Sequence, residues 1–187
     1  MKYILSSCLV VLVLLACNRA KVPRLGSDSA RGGSAGGPVW AEELAKFQLQ
    51  IRLNRIINNT IIVSGDTLLV NLQHHARRDA PFIIKGDFYD WADVDTLRAF
   101  PFESSVSLLR SDSTIVIDTL INKEMIASHL SLNRDLQSFG VLFSPGPIRS
   151  EGDYVVIPFY FSIPITDQGR QVSVKIRKDG KEIKVTE

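Results

Sequence analysis

Stretches of this chain alternate apolar and polar residues with a period of two, and that pattern limits the fold more than any other feature. In QVSVKIR, residues 171 to 177, Val172, Val174 and Ile176 turn one way and the polar residues the other. The same holds for TLLVNLQ, with Leu68, Val70 and Leu72, and for FQLQIRLN, with Phe47, Leu49, Ile51 and Leu53. Successive side chains of a strand point to opposite faces, so each run predicts a half-buried β-strand. Tyr154 to Ile163 is richer still, with Val155, Ile157, Phe159, Phe161 and Ile163 on one face and Pro158 in the middle. A proline lacks the N–H of a ladder, which places that strand at a sheet edge or gives it a bulge.

Turn formers separate the runs: Ser64-Gly65-Asp66, Arg110-Ser111-Asp112-Ser113, and Asp179-Gly180. The last predicts a type I′ hairpin between QVSVKIR and EIKV. Further strands near 60–63, 81–85, 105–110, 114–121 and 140–144 bring the expected total to about nine short antiparallel strands. Such spacing predicts a mainly β domain, an antiparallel β-sandwich similar to immunoglobulin and fibronectin type III domains, with little helix. Helix is expected only as a turn or two at Trp40 to Lys46 and at Lys123 to Leu130, the latter capped by Asn122. Residues 39–187 are the size of a single domain with one core.

The start of the chain follows other rules. After Lys2 the apolar run from Tyr3 to Ala16 is shorter than the ~20 residues of a spanning helix. It reads as a targeting segment to be removed. Leu14-Leu15-Ala16-Cys17 resembles the lipobox of bacterial lipoproteins. That resemblance implies residues 1–16 are a lipoprotein signal peptide. It also implies that Cys17 becomes the N-terminus, carrying thioether-linked diacylglycerol and an amide-linked fatty acid such as palmitate. Several chains hold a protein permanently where a single one binds reversibly. The only other cysteine, Cys8, lies inside the discarded segment, so no disulfide is expected. The resemblance implies the outer membrane, because Asn18 is not the aspartate that retains lipoproteins in the inner one. By the same resemblance, in which some lineages read acidic residues after the cysteine as a surface-export signal, the basic Arg19, Lys21 and Arg24 favour a periplasm-facing orientation, with surface exposure as the alternative.

Residues 17–38 form the expected tether, in which GSDSARGGSAGG has too few apolar side chains to offset the entropy of ordering. As a coil it reaches about 25 Å. It carries a net charge of +3, whereas residues 39–187, with 17 basic and 19 acidic residues, carry −2. The domain lacks the basic excess that nucleic-acid binding requires.

Two stretches carry chemistry-bearing side chains. His74-His75-x-x-x-Asp79 resembles the HHxxxDG motif of acyltransferases and condensation domains, which would make His75 a general base and Asp79 its structural partner. Ala80 replaces the glycine, the chain is less than half as long as those enzymes, and no other stretch matches them. The simpler expectation ends a strand at Gln73 and leaves the histidines solvated in a polar loop. DFYDWADVD, residues 87–95, mixes aspartates with aromatics. Its candidate ligand or partner residues are Phe88, Tyr89, Trp91 and Asp93, which suit a sugar ring, Ca²⁺ or a protein partner. The alternative is a loop whose aromatics cap one end of the sandwich. No zinc-protease helix, Walker loop or dinucleotide fingerprint is present. The expected protein is therefore a non-enzymatic envelope lipoprotein with no cofactor beyond its lipid. It meets the membrane through that lipid and an envelope protein through its domain. The alternative is a saccharide- or calcium-binding lipoprotein using residues 87–95.

Overall fold

The computed structural model describes residues 38–89 and 95–187. The signal peptide, Cys17 and the tether up to residue 37, together with Trp91 and Asp93, lie outside the described residues.

The first element corrects the sequence reading. Residues 47–53 do not form a strand: α1 runs Pro38–Arg52. Proline suits a first helical position, where its missing N–H has no intrahelical partner to lose. Leu44, Phe47 and Ile51, spaced by three and four, lie on one helical face. Phe47 is 4% exposed, with Leu44 and Ile51 packed beside it. Leu49, which a strand would have buried beside Phe47, is 59% exposed. The apolar residues of this stretch fit both periods, and the contribution of Leu44 and Phe47 to the core selects the helical one.

β1 (Asn54–Val63) and β2 (Asp66–Ala76) pair antiparallel in unbroken register. Their turn is of type I′, since Ser64 and Gly65 both have positive φ, 47° and 84°. β2 passes Gln73 and keeps its alternation through His74 and Ala76, so the expected polar loop is instead strand. A small hairpin of β3 (Phe82–Lys85) and β4 (Thr96–Ala99) follows, with a 3₁₀ turn at Gly86–Tyr89. β5 (Phe102–Arg110) and β6 (Ile115–Ile121) complete a four-stranded antiparallel sheet in the order β1-β2-β5-β6.

Two short helices link this sheet to the next. α2 (Lys123–His129) is capped as expected, the Met125 N–H donating to Asn122 Oδ1 at 3.0 Å. α3 (Arg134–Phe139) repeats the device with Asn133 and the Leu136 N–H at 2.8 Å. The second sheet contains β7 (Val141–Leu142), β8 (Arg149–Glu151), β9 (Tyr154–Ser162), β10 (Gly169–Arg177) and β11 (Ile183–Thr186). Its order is β11-β10-β9-β7, with β8 also on β9. The molecule is thus mainly antiparallel β, with its sheets packed on one core. The two main sheets divide the chain in sequence order, unlike an immunoglobulin Greek key, in which strands alternate between sheets.

Pro158 is not at an edge. β9 lies between β10 and the β7/β8 pair. The Gly146 N–H donates to the Pro158 carbonyl at 2.8 Å, and in an antiparallel strand a residue's N–H and C=O point to the same side. The absent N–H therefore faces the break between β7 and β8, where no ladder bond is lost. Val155, Ile157, Phe159, Phe161 and Ile163 form the expected apolar face and are all buried. The Asp179-Gly180 turn is present but not of type I′. Only Gly180 has a positive φ, 73°, and the loop closes through Arg177 N–H to Glu182 O at 2.9 Å.

Candidate functional site

The residues singled out in the 87–95 stretch divide in the structure. Phe88 is half-buried, edge-on to Phe139 with ring centroids 5.1 Å apart. With Ile83, Lys85 and Phe139 it lines an open cleft of about 370 Å³. Tyr89 is turned inward: it is buried, its hydroxyl donates to the Pro164 carbonyl at 3.1 Å, and burial pushes its pKa up. It braces the core and offers no free ring face to a ligand. Among the described residues no group of three or more His, Cys, Asp and Glu side chains is placed to hold a metal ion.

The histidines are positioned by β2 and β5. His74 and Ser104 stand opposite each other in register, as do His75 and Glu103. His74 is 3% exposed, its Nδ1 2.8 Å from Ser104 Oγ, and its ring stacks on Phe102 at 5.4 Å between centroids. Its Nε2 has no hydrogen-bond partner among the described residues. Burial, with smaller effects from His75 and Arg55, lowers its pKa to about 4, so the ring is neutral near pH 7. Ser104 is fully buried, and the pair has no opening to a substrate. His75 Nε2 lies 3.3 Å from Glu103 Oε1, while Asp79 pairs with Arg77 at 3.2 Å. The two residues of the acyltransferase-like motif thus have different ion-pair partners, Glu103 for His75 and Arg77 for Asp79. His129 lies exposed on α2, its Nδ1 2.9 Å from the Met125 carbonyl.

A second recess among the described residues was not visible in the sequence. α1 supplies Glu43, Lys46, Phe47 and Gln50 to one wall of a groove of about 500 Å³. The opposite wall is Phe143, Tyr160 and the turn from Ile163 to Gln168. Phe47 meets Phe143 edge-on at 6.2 Å. The turn is held by the Ile163 N–H donating to the Gln168 carbonyl at 3.0 Å and by Thr166 Oγ1 donating to the Ile163 carbonyl at 3.0 Å. Ile165 within it has a φ of 60°, a left-handed conformation that a β-branched residue adopts only under constraint from its surroundings. The groove thus has an apolar floor and a polar rim of Glu43, Lys46 and Asp167, the usual make-up of a binding site. Lys46 is held by Glu42 and Glu43, each at 2.9 Å. The alternation reading missed this groove by assigning α1's second half to a strand. The signal that would have found it is the 44/47/51 spacing behind Pro38.

Among the described residues no helix is long and apolar enough to cross a membrane. In comparison with known proteins, no family model matches the chain and no curated protein is significantly similar to it.

Proposed function

We propose that this chain is a membrane-anchored cell-envelope lipoprotein whose β-sandwich is a non-enzymatic module for binding another envelope protein. The lipobox-like Leu14-Leu15-Ala16-Cys17 supports the anchor, and the Gly/Ser-rich stretch before Pro38 supports a tether. The observation that carries the binding reading is the groove between α1 and β9, whose apolar floor and charged rim suit a partner side chain set rather than bond-making chemistry. The histidine chemistry is enclosed: Ser104 and His74 face each other inside the core.

A photo-activatable residue at Gln50 of the full chain, irradiated in intact envelopes and analysed by mass spectrometry, tests the binding reading. A defined protein adduct at Gln50, absent when the probe is at Asn71, supports it; equal labelling from both positions refutes it. For the anchor, Cys17→Ser removes radiolabelled palmitate and releases the chain from the membrane fraction; retention of the label refutes it.

A second reading, a saccharide- or calcium-binding lipoprotein, is favoured by the open cleft beside Phe88. Trp91→Ala then abolishes binding to soluble envelope glycan without altering the circular dichroism spectrum, and unchanged binding removes that reading.

A further inference from the structure

Among the described residues β1 is the outer strand of its sheet, paired with β2 alone. In a two-residue hairpin the residues flanking the turn exchange both backbone hydrogen bonds, so Val63 and every second residue before it point N–H and C=O toward β2. Ile56, Asn58, Thr60 and Ile62 therefore point theirs outward, and none has a backbone partner among the described residues. Natural sheets blunt such an edge with charged side chains, proline, a bulge, brevity or a covering segment. β1 has no lysine, proline, bulge or shortening, being ten residues long in continuous register; its one charge is Arg55, and β8 of the second sheet packs beside it. The Arg55 guanidinium donates to Ser144 Oγ at 2.7 Å and to the Pro145 carbonyl at 3.2 Å. Ile56 and Ile62 are 65% and 66% exposed, on the same face as the exposed Asn58 and Thr60.

The edge also has a sequence that complements itself. Residues 56–62 read Ile-Ile-Asn-Asn-Thr-Ile-Ile, nearly palindromic about Asn59. Antiparallel pairing of two such strands about a two-fold axis at Asn59 sets Ile56 opposite the partner's Ile62 and Asn58 opposite the partner's Thr60. Asn59 then meets the partner's Asn59. Every outward-pointing residue meets an outward-pointing residue, so the hydrogen-bonding phase is satisfied as well as the side-chain match. Arg55 falls opposite the partner's Val63, so like charges do not meet. An isologous two-fold contact needs a surface that complements itself in this way.

We propose that a second copy of this chain adds to the free edge of β1, joining the two four-stranded sheets across Asn59. The isoleucines form cross-strand pairs on the outer face, and Asn58 hydrogen-bonds the partner's Thr60. This contact is independent of the lipid on Cys17 and of the groove.

Asn59→Cys in the full chain tests it. The two Asn59 positions form a non-hydrogen-bonded pair, whose Cα atoms lie about 4.5 Å apart, within disulfide range. Mild oxidation of cells making Asn59→Cys gives a disulfide-linked dimer several-fold above the parent chain, which carries the native cysteines, and above Asn71→Cys on the interior strand. Adding Ile62→Lys returns that band to the parent level with an unchanged circular dichroism spectrum. Thr60→Pro, which removes only an outward N–H, does the same should the lysine variant fail to fold. A monomer by sedimentation, together with no excess crosslinking of Asn59→Cys over Asn71→Cys, overturns the proposal. Crosslinking of Asn59→Cys only to a different protein overturns it equally.

Discussion

His74 on β2 and Ser104 on β5 face each other across the ladder inside the sandwich, with Nδ1 and Oγ 2.8 Å apart. The burial of His74 makes stability depend on pH. His74 takes a proton near pH 6.5 in the unfolded chain but only near pH 4 when folded. Where the unfolded state binds more protons, stability falls as pH falls. Its contribution is complete above pH 6.5, declines through the interval down to about 4, and amounts to roughly 3 kcal/mol over that range. The double variant His74→Leu/Ser104→Ala removes both polar partners at once and flattens this interval. Urea unfolding at a series of pH values checks it. Asp179, held down to about 2 by Arg177 and then by the Lys181 N–H, loses its stabilising charge only below the ordinary aspartate range.

Phe47 and Leu49 separate a helix from a strand at the domain's N-terminal element. Phe47→Ala lowers unfolding free energy by about 3 kcal/mol, the cost of a buried cavity, while Leu49→Ala stays within about 0.5 kcal/mol. Equal effects from the two in denaturant unfolding would restore the strand.

Gly180 and Gly65 both have positive φ, yet their surroundings differ. A Cβ at Gly65 meets nothing within 4 Å, whereas one at Gly180 falls 2.6 Å from the Val116 carbonyl of β6. Gly65→Ala costs about 1 kcal/mol, the conformational penalty alone. Gly180→Ala costs about 2 kcal/mol or more, because the β10–β11 turn must also move off β6. Paired chemical denaturation curves give the order.

Asn122→Ala and Asn133→Ala each remove a side-chain acceptor from a helix start. Each lowers stability by about 1 kcal/mol, and replacement by Asp restores most of it. Thermal midpoints of the two variants and their Asp counterparts check this.

The strands were legible wherever one face is buried and the other wet, as in β10, or where nearly everything is buried, as in β9. Phe47 to Leu53 misled because residues at i, i+2 and i+4 satisfy a strand completely and a helix in part; only Leu44, outside the run, breaks the tie. A pattern that counts histidine as polar ends β2 at Gln73, yet His74 holds the inward register and meets a serine there. Composition shows that Phe88 and Tyr89 are aromatic but not which way each faces, and the hydrogen bond to Pro164 that turns Tyr89 inward spans 75 residues. The groove draws on residues near 47, 143 and 165, and local periodicity carries no information about that meeting.

Every strand of the first main sheet precedes every strand of the second. A nascent chain emerging from its N-terminus thus completes one wall of the sandwich while the opposite wall is still unmade. For that interval Val70, Leu72, Val106 and Leu108 present a greasy plate to water, the kind of transient surface that holdase chaperones shield.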